Sequence, residues 1–350
     1  MKSCSRGAAA AVHPGGPGND VGDEAVEGAA LLGDELRSEQ RSVEAIRASV
    51  AASGGMLPQL RFVLWPSLLG LVTPAVRSAQ GMDDEASGRA REEELSALVA
   101  QVDRVDQSLV RTIDADVPRT DDLSDEQRSL LRSLLLAHCV HQPAWGYFQG
   151  MNDMASVVIR ACESMRDDDA AVCETVASRA FWILRGVLAH CAENWSHTDL
   201  EGVWRQARAV RAVLRAADKK LAAKLEKLDG AHAADQPLAF LFGPIFLRLK
   251  RELSDAEQAM RLWEVSWANG RAFDVLIFAA FVRSQRVAII RMREGPTASA
   301  ALHQHFGRLH GTQRAAPLLE EARRLRSLPA CTEALDEHLG MQPTQARQVL

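Results

Sequence analysis

The spacing of apolar residues between positions 57 and 290 is the feature that most constrains the fold of this chain. Large apolar side chains recur three and four positions apart, as at Leu130, Leu131, Leu134 and Leu135, and this is the period of one face of an α-helix. No run alternates apolar and polar residues as a half-buried strand does. Prolines and glycines interrupt the pattern often enough for short connections between packed helices. The sequence therefore predicts an all-α fold, a compact array of many helices.

The two ends of the chain differ from this central part. Residues 1–30 are rich in Ala, Gly and Pro and have few large apolar side chains to offset the entropy cost of ordering, so we predict a disordered tail. Helical spacing over 31–52 then predicts one surface helix. After Pro296 the chain continues as helical sequence rich in Ala, Arg and Glu. We therefore divide the chain into a tail with a helix, a helical domain and a helical C-terminal extension: 1–52, 57–290 and 291–350. Inside the domain, the polar stretch 81–91 is expected to form a loop.

Charge and cysteine content exclude several classes of protein. There are 41 Lys and Arg residues against 46 Asp and Glu, a net charge of -5, so the basic field of a nucleic-acid binder is missing. The longest dense apolar run, 275–282, is far shorter than the roughly 20 residues of a membrane span. The six cysteines form no C-x-x-C pair, which favours a reducing compartment. We expect a cytoplasmic protein; for the N-terminus, with Lys2 and Arg6 before an alanine run, a transit peptide is the second interpretation.

Motifs that bind a nucleotide or a metal unaided are missing from the sequence. It contains no P-loop, no dinucleotide-binding glycine pattern and no zinc-protease motif. The nearest metal candidate is the repeated pair His138-Cys139 and His190-Cys191. Adjacent residues on a helix point about 100° apart, which disfavours a zinc site, and His138 continues a leucine stripe as a core histidine would. A Cys nucleophile served by His141 has no recognisable third group to orient it.

Two polar segments flank one predicted helix. The first, 113–120, carries Arg119 directly after a proline, at a loop or helix end. The second, 145–153, places Gln149 among three large aromatics and next to Gly150, where the backbone can be approached closely. Between them, a capping box at 124–127 opens a helix that should end before Pro143. The order is therefore loop, helix, loop.

Arginine and glutamine are the two side chains that GTP hydrolysis requires. A cation stabilises the charge that develops on the phosphoryl oxygens, and an amide orients the attacking water. Positioning and electrostatics do this work, so neither group needs a shifted pKa. The structural alternative is that Arg119 is an exposed arginine, solvated or paired with a carboxylate.

At this point the residues resemble a known family, the TBC domain of GTPase-activating proteins for Rab GTPases. The resemblance covers roughly 57–290 and follows several ordered motifs of that family. The matching residues are Ile113, Asp116 and Arg119 for IxxDxxR; Tyr147, Gln149 and Gly150 for YxQG; Arg61, Trp65, Leu68, Leu69 and Gly70 for RxxxWxxLLG; and the later segments 246–253 and 261–264.

The resemblance implies an all-helical fold and a catalytic role in trans. Arg119 would be an arginine finger, and Gln149 a glutamine finger that replaces the water-positioning glutamine of the GTPase. The residues expected to support them are Asp116, Tyr147, Gly150, Asn152 and Asp153. The protein would need no cofactor of its own, because GTP and Mg²⁺ belong to a Rab-type small GTPase, which would also account for any peripheral recruitment to endomembranes.

Other interpretations stay open beside this one. The connection after Arg119, through Asp121, Asp122 and Leu123, is shorter than is usual in the family, so the chain could instead be a TBC-fold scaffold that binds a GTPase without accelerating hydrolysis. A helical adaptor with another partner is the third alternative. For Arg61 and Trp65 we expect a structural role in the core, and for 248–251 a solvated helix face, with contact to a partner as the second interpretation.

Overall fold

The computed structural model describes residues 43–71, 84–120, 123–163, 175–195, 199–230 and 235–339. Within these ranges the chain forms α-helices and short 3-10 turns and no β-strand, so the all-α prediction is confirmed. The predicted disordered tail over 1–30, and the first part of the helix predicted over 31–52, lie outside the described residues. No helix in the described part is both long and apolar enough to cross a membrane.

The described helices are numbered here in chain order. They are α1 Val43–Ser53, α2 Pro58–Leu68, α3 Asp84–Val99, α4 Gln107–Asp116, α5 Asp125–His141, α6 Met151–Glu163, α7 Val176–His190, α8 Glu201–Ala217, α9 Lys219–Asp229, α10 Phe242–Phe246, α11 Ala256–Asn269, α12 Ala272–Ser284, α13 Arg286–Arg291, α14 Ala298–Gly307, α15 Ala315–Arg326 and α16 Pro329–Leu339. The 3-10 turns are Val102–Arg104, Val117–Arg119, Ala192–Asn194 and Ala239–Leu241.

Helix α12 lies at the centre of the core. Every residue from Phe273 to Val282 is buried, because the helix is apolar on all sides and is covered on all sides, by α8 and α15 among others. The single charged residue in this run, Asp274, is compensated by Arg248, as described below. The dense apolar run 275–282 of the sequence is therefore a buried core helix.

The expected core role of Arg61 and Trp65 is confirmed. Both side chains, on α2, are buried and bond the fully buried carboxylate of Glu264 on α11: Arg61 Nε donates to Oε1 over 2.6 Å, and Trp65 Nε1 donates to the same oxygen over 3.0 Å. Arg61 also reaches Glu257 at the protein surface. This ion pair fixes α2 against α11 and closes the N-terminal side of the core.

Helix α5 has the bounds that its sequence signals predict. It begins after the capping box, in which Ser124 Oγ accepts from the Gln127 backbone N–H and the Gln127 side chain accepts from the Ser124 N–H. It ends at His141, before Pro143. Of its leucine stripe, Leu131, Leu134 and Leu135 are buried in the core and Leu130 is partly buried. The helix contributes seventeen of the residues that separate the two polar segments in the chain.

The polar loop expected over 81–91 is wrong for its described part, because α3 begins at Asp84. Several charged residues of this stretch, among them Glu85, Arg89 and Arg91, are good helix formers, and a largely exposed helix needs few apolar side chains. Leu95 supplies one buried contact. High polarity therefore marked a surface helix here and not a break in the array.

The helices after residue 290 pack on the core. Helix α15 lies against α12, and α16 lies along α8. Arg283 of α12 donates to Glu321 of α15 over 2.6 Å. Buried Leu318, Leu325 and Cys331 extend the same hydrophobic cluster. At the other end of the chain, α1 buries Ile46 and Val50 and packs against α11.

Candidate functional site

Arg119 lies at the end of a short, well-anchored segment. Helix α4 is capped by Asp106, whose carboxylate accepts from the Ser108 N–H over 2.7 Å, and it leads into the 3-10 turn Val117–Arg119. Ile113 and Val117 are buried and fix this segment to the core. The Arg119 side chain is 67% exposed. Its guanidinium is thus presented outward from a rigid base, at the helix end that the sequence predicts.

Gln149 is presented by a turn between α5 and α6. Tyr147 is buried, Gln149 is exposed, and Gly150 has a φ of +106°, a conformation that side-chain-bearing residues rarely adopt. A Cβ at Gly150 would lie 2.5 Å from Leu247 Cδ2. The close approach predicted at Gly150 is therefore made by the protein's own Leu247. The turn is closed by the Gly150 N–H, which donates to Asn152 Oδ1 over 3.1 Å.

Both segments converge on the buried carboxylate of Asp116. Arg119 Nη2 lies 3.2 Å from Asp116 Oδ1, and Gln149 Nε2 lies 3.4 Å from the same oxygen. The other oxygen, Oδ2, accepts from the Tyr147 hydroxyl over 2.8 Å. Helix α5 is about 25 Å long, so the two segments at its ends meet only because the 142–150 turn runs back toward α4. Arg119 and Gln149 consequently share one surface.

Tyr147 is held as a hydrogen-bond donor. Burial and then the bond to Asp116 raise the pKa of the Tyr147 phenol well above its ordinary value of 10.0. The hydroxyl also lies 3.1 Å from Asn152 Oδ1. A phenol carries one proton, and the carboxylate of Asp116 is the stronger acceptor for it.

Thr120 is a residue of the site that the sequence reasoning missed. Its buried hydroxyl donates to the Asp116 carbonyl over 3.1 Å and accepts from Asn152 Nδ2 over 2.8 Å. The hydroxyl thus ties the start of α6 to the segment that carries Arg119. Two features of the sequence could have indicated Thr120: it follows Arg119 directly, and its hydroxyl can both donate and accept a hydrogen bond.

Asp153 is bound from the opposite side of the site. Arg251 donates to its Oδ2 from Nε and Nη2 over 3.0 and 2.6 Å, and Lys250 Nζ lies 3.3 Å from its Oδ1. Asp153 itself is buried. The first turn of α6 is therefore held by Thr120 on one side and by Lys250 and Arg251 on the other, with Gln149 just before it in the chain.

The solvated helix face expected over 248–251 is wrong. The segment is a turn in which Arg248 and Leu249 have φ values of 52° and 61°, and both are buried. Arg248 forms a bidentate pair with Asp274, with distances of 2.9 and 2.6 Å, and its Nη2 also lies 3.0 Å from Ser266 Oγ. A buried arginine requires such a partner. Because Asp274 is distant in the chain, the sequence around Arg248 does not indicate this pairing.

These residues border an open depression of about 610 Å³. Its lining contains Asp116, Arg119, Gln149, Asn152 and Asp153, all expected from the sequence. Tyr147 and Gly150 are buried behind it. The sequence reasoning missed the remaining lining residues, which come from α6, from the chain around the start of α11 and from a C-terminal turn: Ser156, Arg160, Lys250, Arg251, Leu253, Ser254, Asp255, Ala256, His310 and Gly311.

The alternative metal and nucleophile sites find no support in the described part of the chain. No three His, Cys, Asp or Glu side chains there are grouped as metal ligands. Burial lowers the pKa of His138 and of His190 to about 4 and raises that of Cys139 to about 11. Such a thiol is not reactive. His138 is a buried residue of α5, as its leucine stripe predicts.

The chain is similar in sequence to known proteins. The profile of the Rab-GTPase-TBC domain matches residues 58–289. TBC1 domain family member 17 of Mus musculus is 26% identical over 317 residues, which cover 84% of this chain and 45% of that protein. GTPase-activating protein gyp7 of Schizosaccharomyces pombe is 24% identical over 292 residues, covering 76% of this chain and 37% of that protein. The chain spans less than half the length of these curated relatives.

A solved structure shares the fold. The crystal structure of the Ypt/Rab-GAP domain of Gyp1p matches with a TM-score of 0.69 at 17% identity, over 87% of this chain and 99% of that one. At this identity the likeness shows the fold alone. It extends well beyond the span matched by the domain profile, so the shared architecture includes helices on either side of 58–289.

Proposed function

The chain belongs to the RabGAP-TBC family, and from that premise we propose that it accelerates GTP hydrolysis by a Rab-type small GTPase, using Arg119 and Gln149 in trans. One observation carries the proposal: Arg119 and Gln149 each lie within 3.4 Å of the same oxygen of buried Asp116, at the edge of an open depression. These are the cation and the amide that hydrolysis requires.

In this proposal the Asp116 carboxylate is a shared hydrogen-bond acceptor that positions the two catalytic side chains, Arg119 and Gln149. The carboxylate is fixed by the Tyr147 hydroxyl, which keeps its proton, so the remaining oxygen is directed at Arg119 and Gln149. Arg119 also donates from Nε to the Ala115 carbonyl over 2.7 Å. In the unbound chain the guanidinium is thus held near its own helix end, mostly exposed to solvent.

Docking of the GTPase would exchange these contacts for contacts to the nucleotide. Arg119 would leave the Ala115 carbonyl and place its guanidinium on the phosphoryl oxygens, where negative charge develops in the transition state. Gln149, whose bond to Asp116 is long, would turn its amide to the attacking water. The GTPase holds GTP and Mg²⁺, and contact with the GTPase would bring this protein to the membrane.

Single-turnover GTP hydrolysis on a panel of Rab-type GTPases tests the proposal. We expect the wild-type chain to accelerate at least one GTPase. Arg119→Ala should reduce the stimulated rate by about 10³-fold or more, and Gln149→Ala by about 10²-fold. The matched controls are Arg111→Ala and Gln107→Ala, which change exposed residues of α4 outside the depression and should leave the rate unchanged.

Binding measured separately distinguishes the alternatives. A GTPase that binds this chain without faster hydrolysis would identify a scaffold and contradict the catalytic proposal. A chain that binds no GTPase of the panel would support the helical adaptor. Equal loss of rate in the variants and in the two controls would show that the residues act through stability and not through chemistry.

A further inference from the structure

A C-terminal loop, residues 308–314, reaches the same depression from outside the span matched by the domain profile. Four backbone hydrogen bonds join it to the segment 251–254. The Gly311 N–H donates to the Arg251 carbonyl over 2.8 Å, the N–H groups of Thr312 and Gln313 donate to the Glu252 carbonyl over 3.0 and 2.9 Å, and the Ser254 N–H donates to the Gln313 carbonyl over 2.9 Å. The loop is therefore an ordered edge of the site.

A fifth hydrogen bond fixes the residue that follows the loop. The Ala315 N–H donates to Gln258 Oε1 over 2.9 Å, in the interior, and α15 then packs against α12. The second half of the loop is consequently fixed from Gly311 to Ala315. A surface that is fixed before binding loses little conformational entropy when a partner docks on it.

The loop also connects with the catalytic side of the depression. Arg251 accepts the Gly311 N–H at its carbonyl, while its guanidinium bonds Asp153 in the first turn of α6. His310 and Gly311 line the depression together with Arg119 and Gln149. A protein that contacts the two catalytic side chains therefore faces this loop across the depression.

The exposed ionisable side chains of the loop are basic. Arg308, His310 and Arg314 are exposed, with His310 at 55%, and the loop contains no Asp or Glu. Among the carboxylates that line the depression, Asp116 and Asp153 are buried and bonded by basic side chains, and the exposed Asp255 lies near Arg314 of the loop. The rim thus offers positive charge to a partner, and an acidic surface is the complementary one.

We propose that the C-terminal loop is a second docking edge for the GTPase, which contacts an acidic surface beside the bound nucleotide and sets affinity and selectivity among GTPases. This rests on the proposed function, since the GTPase is the occupant of the depression. The loop binds and orients; it contributes no group to the hydrolysis itself. The loop therefore affects KM and Kd, while Arg119 and Gln149 determine the hydrolysis rate at saturation.

Two substitutions that place a carboxylate in the loop, the charge reversal Arg314→Glu and the charge change His310→Glu, test the loop. The probe is a Rab-type GTPase loaded with GTP for kinetics and with a non-hydrolysable GTP analogue for the Kd. Each substitution should raise KM and Kd by about tenfold and make both less dependent on salt, while the single-turnover rate at saturating protein stays within about twofold of wild type. The matched controls, His303→Glu and Arg293→Glu, make the same charge changes at exposed positions outside the depression and should leave KM near wild type.

The outcomes separate this proposal from the one it rests on. If the wild-type chain accelerates a GTPase and the loop substitutions keep its Kd and KM, the docking edge is wrong and the proposed function stands. A GTPase that binds without acceleration overturns the catalytic proposal, and the loop is then judged on the Kd alone. A loop substitution that lowers the saturated rate at unchanged KM also contradicts the docking edge, and a chain that binds no GTPase of the panel overturns both proposals.

Discussion

The Tyr147 hydroxyl lies 2.8 Å from Asp116 Oδ2, and both side chains are buried. Tyr147 is the only tyrosine of the chain, and it lies two residues before Gln149. The contact joins the segment of Arg119 to the segment of Gln149, although all of α5 lies between them in the chain. Together with the bond from Asn152 to Thr120, it holds the two segments in place.

Tyr147→Phe keeps the ring and removes this link. We expect the stimulated hydrolysis rate to fall by about tenfold, because Asp116 is no longer fixed, and the free energy of unfolding to fall by about 1–3 kcal/mol, because its buried oxygen loses a donor. Single-turnover kinetics and urea unfolding measure the two effects. Tyr147→Ala should lower the rate at least as far at temperatures where both variants are folded; if both variants keep the wild-type rate, Tyr147 has no role in activation.

Gly150→Ala tests the turn that presents Gln149. The φ of +106° and the 2.5 Å approach to Leu247 Cδ2 should together cost about 2 kcal/mol or more of stability and displace Gln149, which lowers the stimulated rate. The control is Gly243→Ala in α10, where a Cβ would meet no atom within 4 Å. Thermal unfolding and hydrolysis assays follow both. A Gly150→Ala protein with wild-type stability and rate would refute the geometric requirement.

Arg61→Ala tests the buried ion pair that fixes α2. Removal of Arg61 leaves the fully buried Glu264 carboxylate without its cation, and we expect a loss of about 3–5 kcal/mol in the free energy of unfolding. Arg132→Ala breaks an exposed pair with Asp114 and should cost at most about 1 kcal/mol. Denaturant unfolding of both variants gives the comparison. Equal losses would mean that burial does not set the strength of these pairs.

The raised pKa of Glu252 predicts that the stability of the folded chain depends on pH. Burial raises the pKa of Glu252 to about 7, from an ordinary value of 4.5. Between these two values the folded chain keeps a proton that the unfolded chain has lost, so stability falls as the pH rises through this window and remains lower above it. Glu252→Gln, which is always neutral, should be more stable than wild type at pH 8 by about 2–3 kcal/mol and nearly equal at pH 4.5.

Urea unfolding at several pH values measures this effect. The exposed Glu320 provides the control, since Glu320→Gln should leave the pH profile of stability as it is in wild type. His310 lies 3.5 Å from Glu252 Oε1, and a His310→Gln variant shows how much of the profile depends on that neighbour. An unchanged profile in Glu252→Gln would assign the pH dependence to other groups.

Local patterns in the sequence determined the helical fold and the residues of the two polar segments. A helix forms between residues three and four apart, so the leucine stripe and capping box of α5 predict its bounds without knowledge of any partner. Over 84–91 the polarity of the sequence predicts a loop, but its charged residues form helices well and belong to α3. Polarity reports exposure more directly than it reports backbone conformation.

Only the tertiary structure decided which distant residues meet. Arg119 and Gln149 share an oxygen of Asp116 because the chain turns back after α5, and no spacing rule specifies that return. The partner of Arg248 is Asp274, and His310, far along the chain, lines the same depression as Gln149. Such contacts depend on long-range packing, in which a buried charge takes whichever partner the fold brings near it. The sequence by itself therefore determined the catalytic candidates, and the tertiary structure decided the surface that surrounds them.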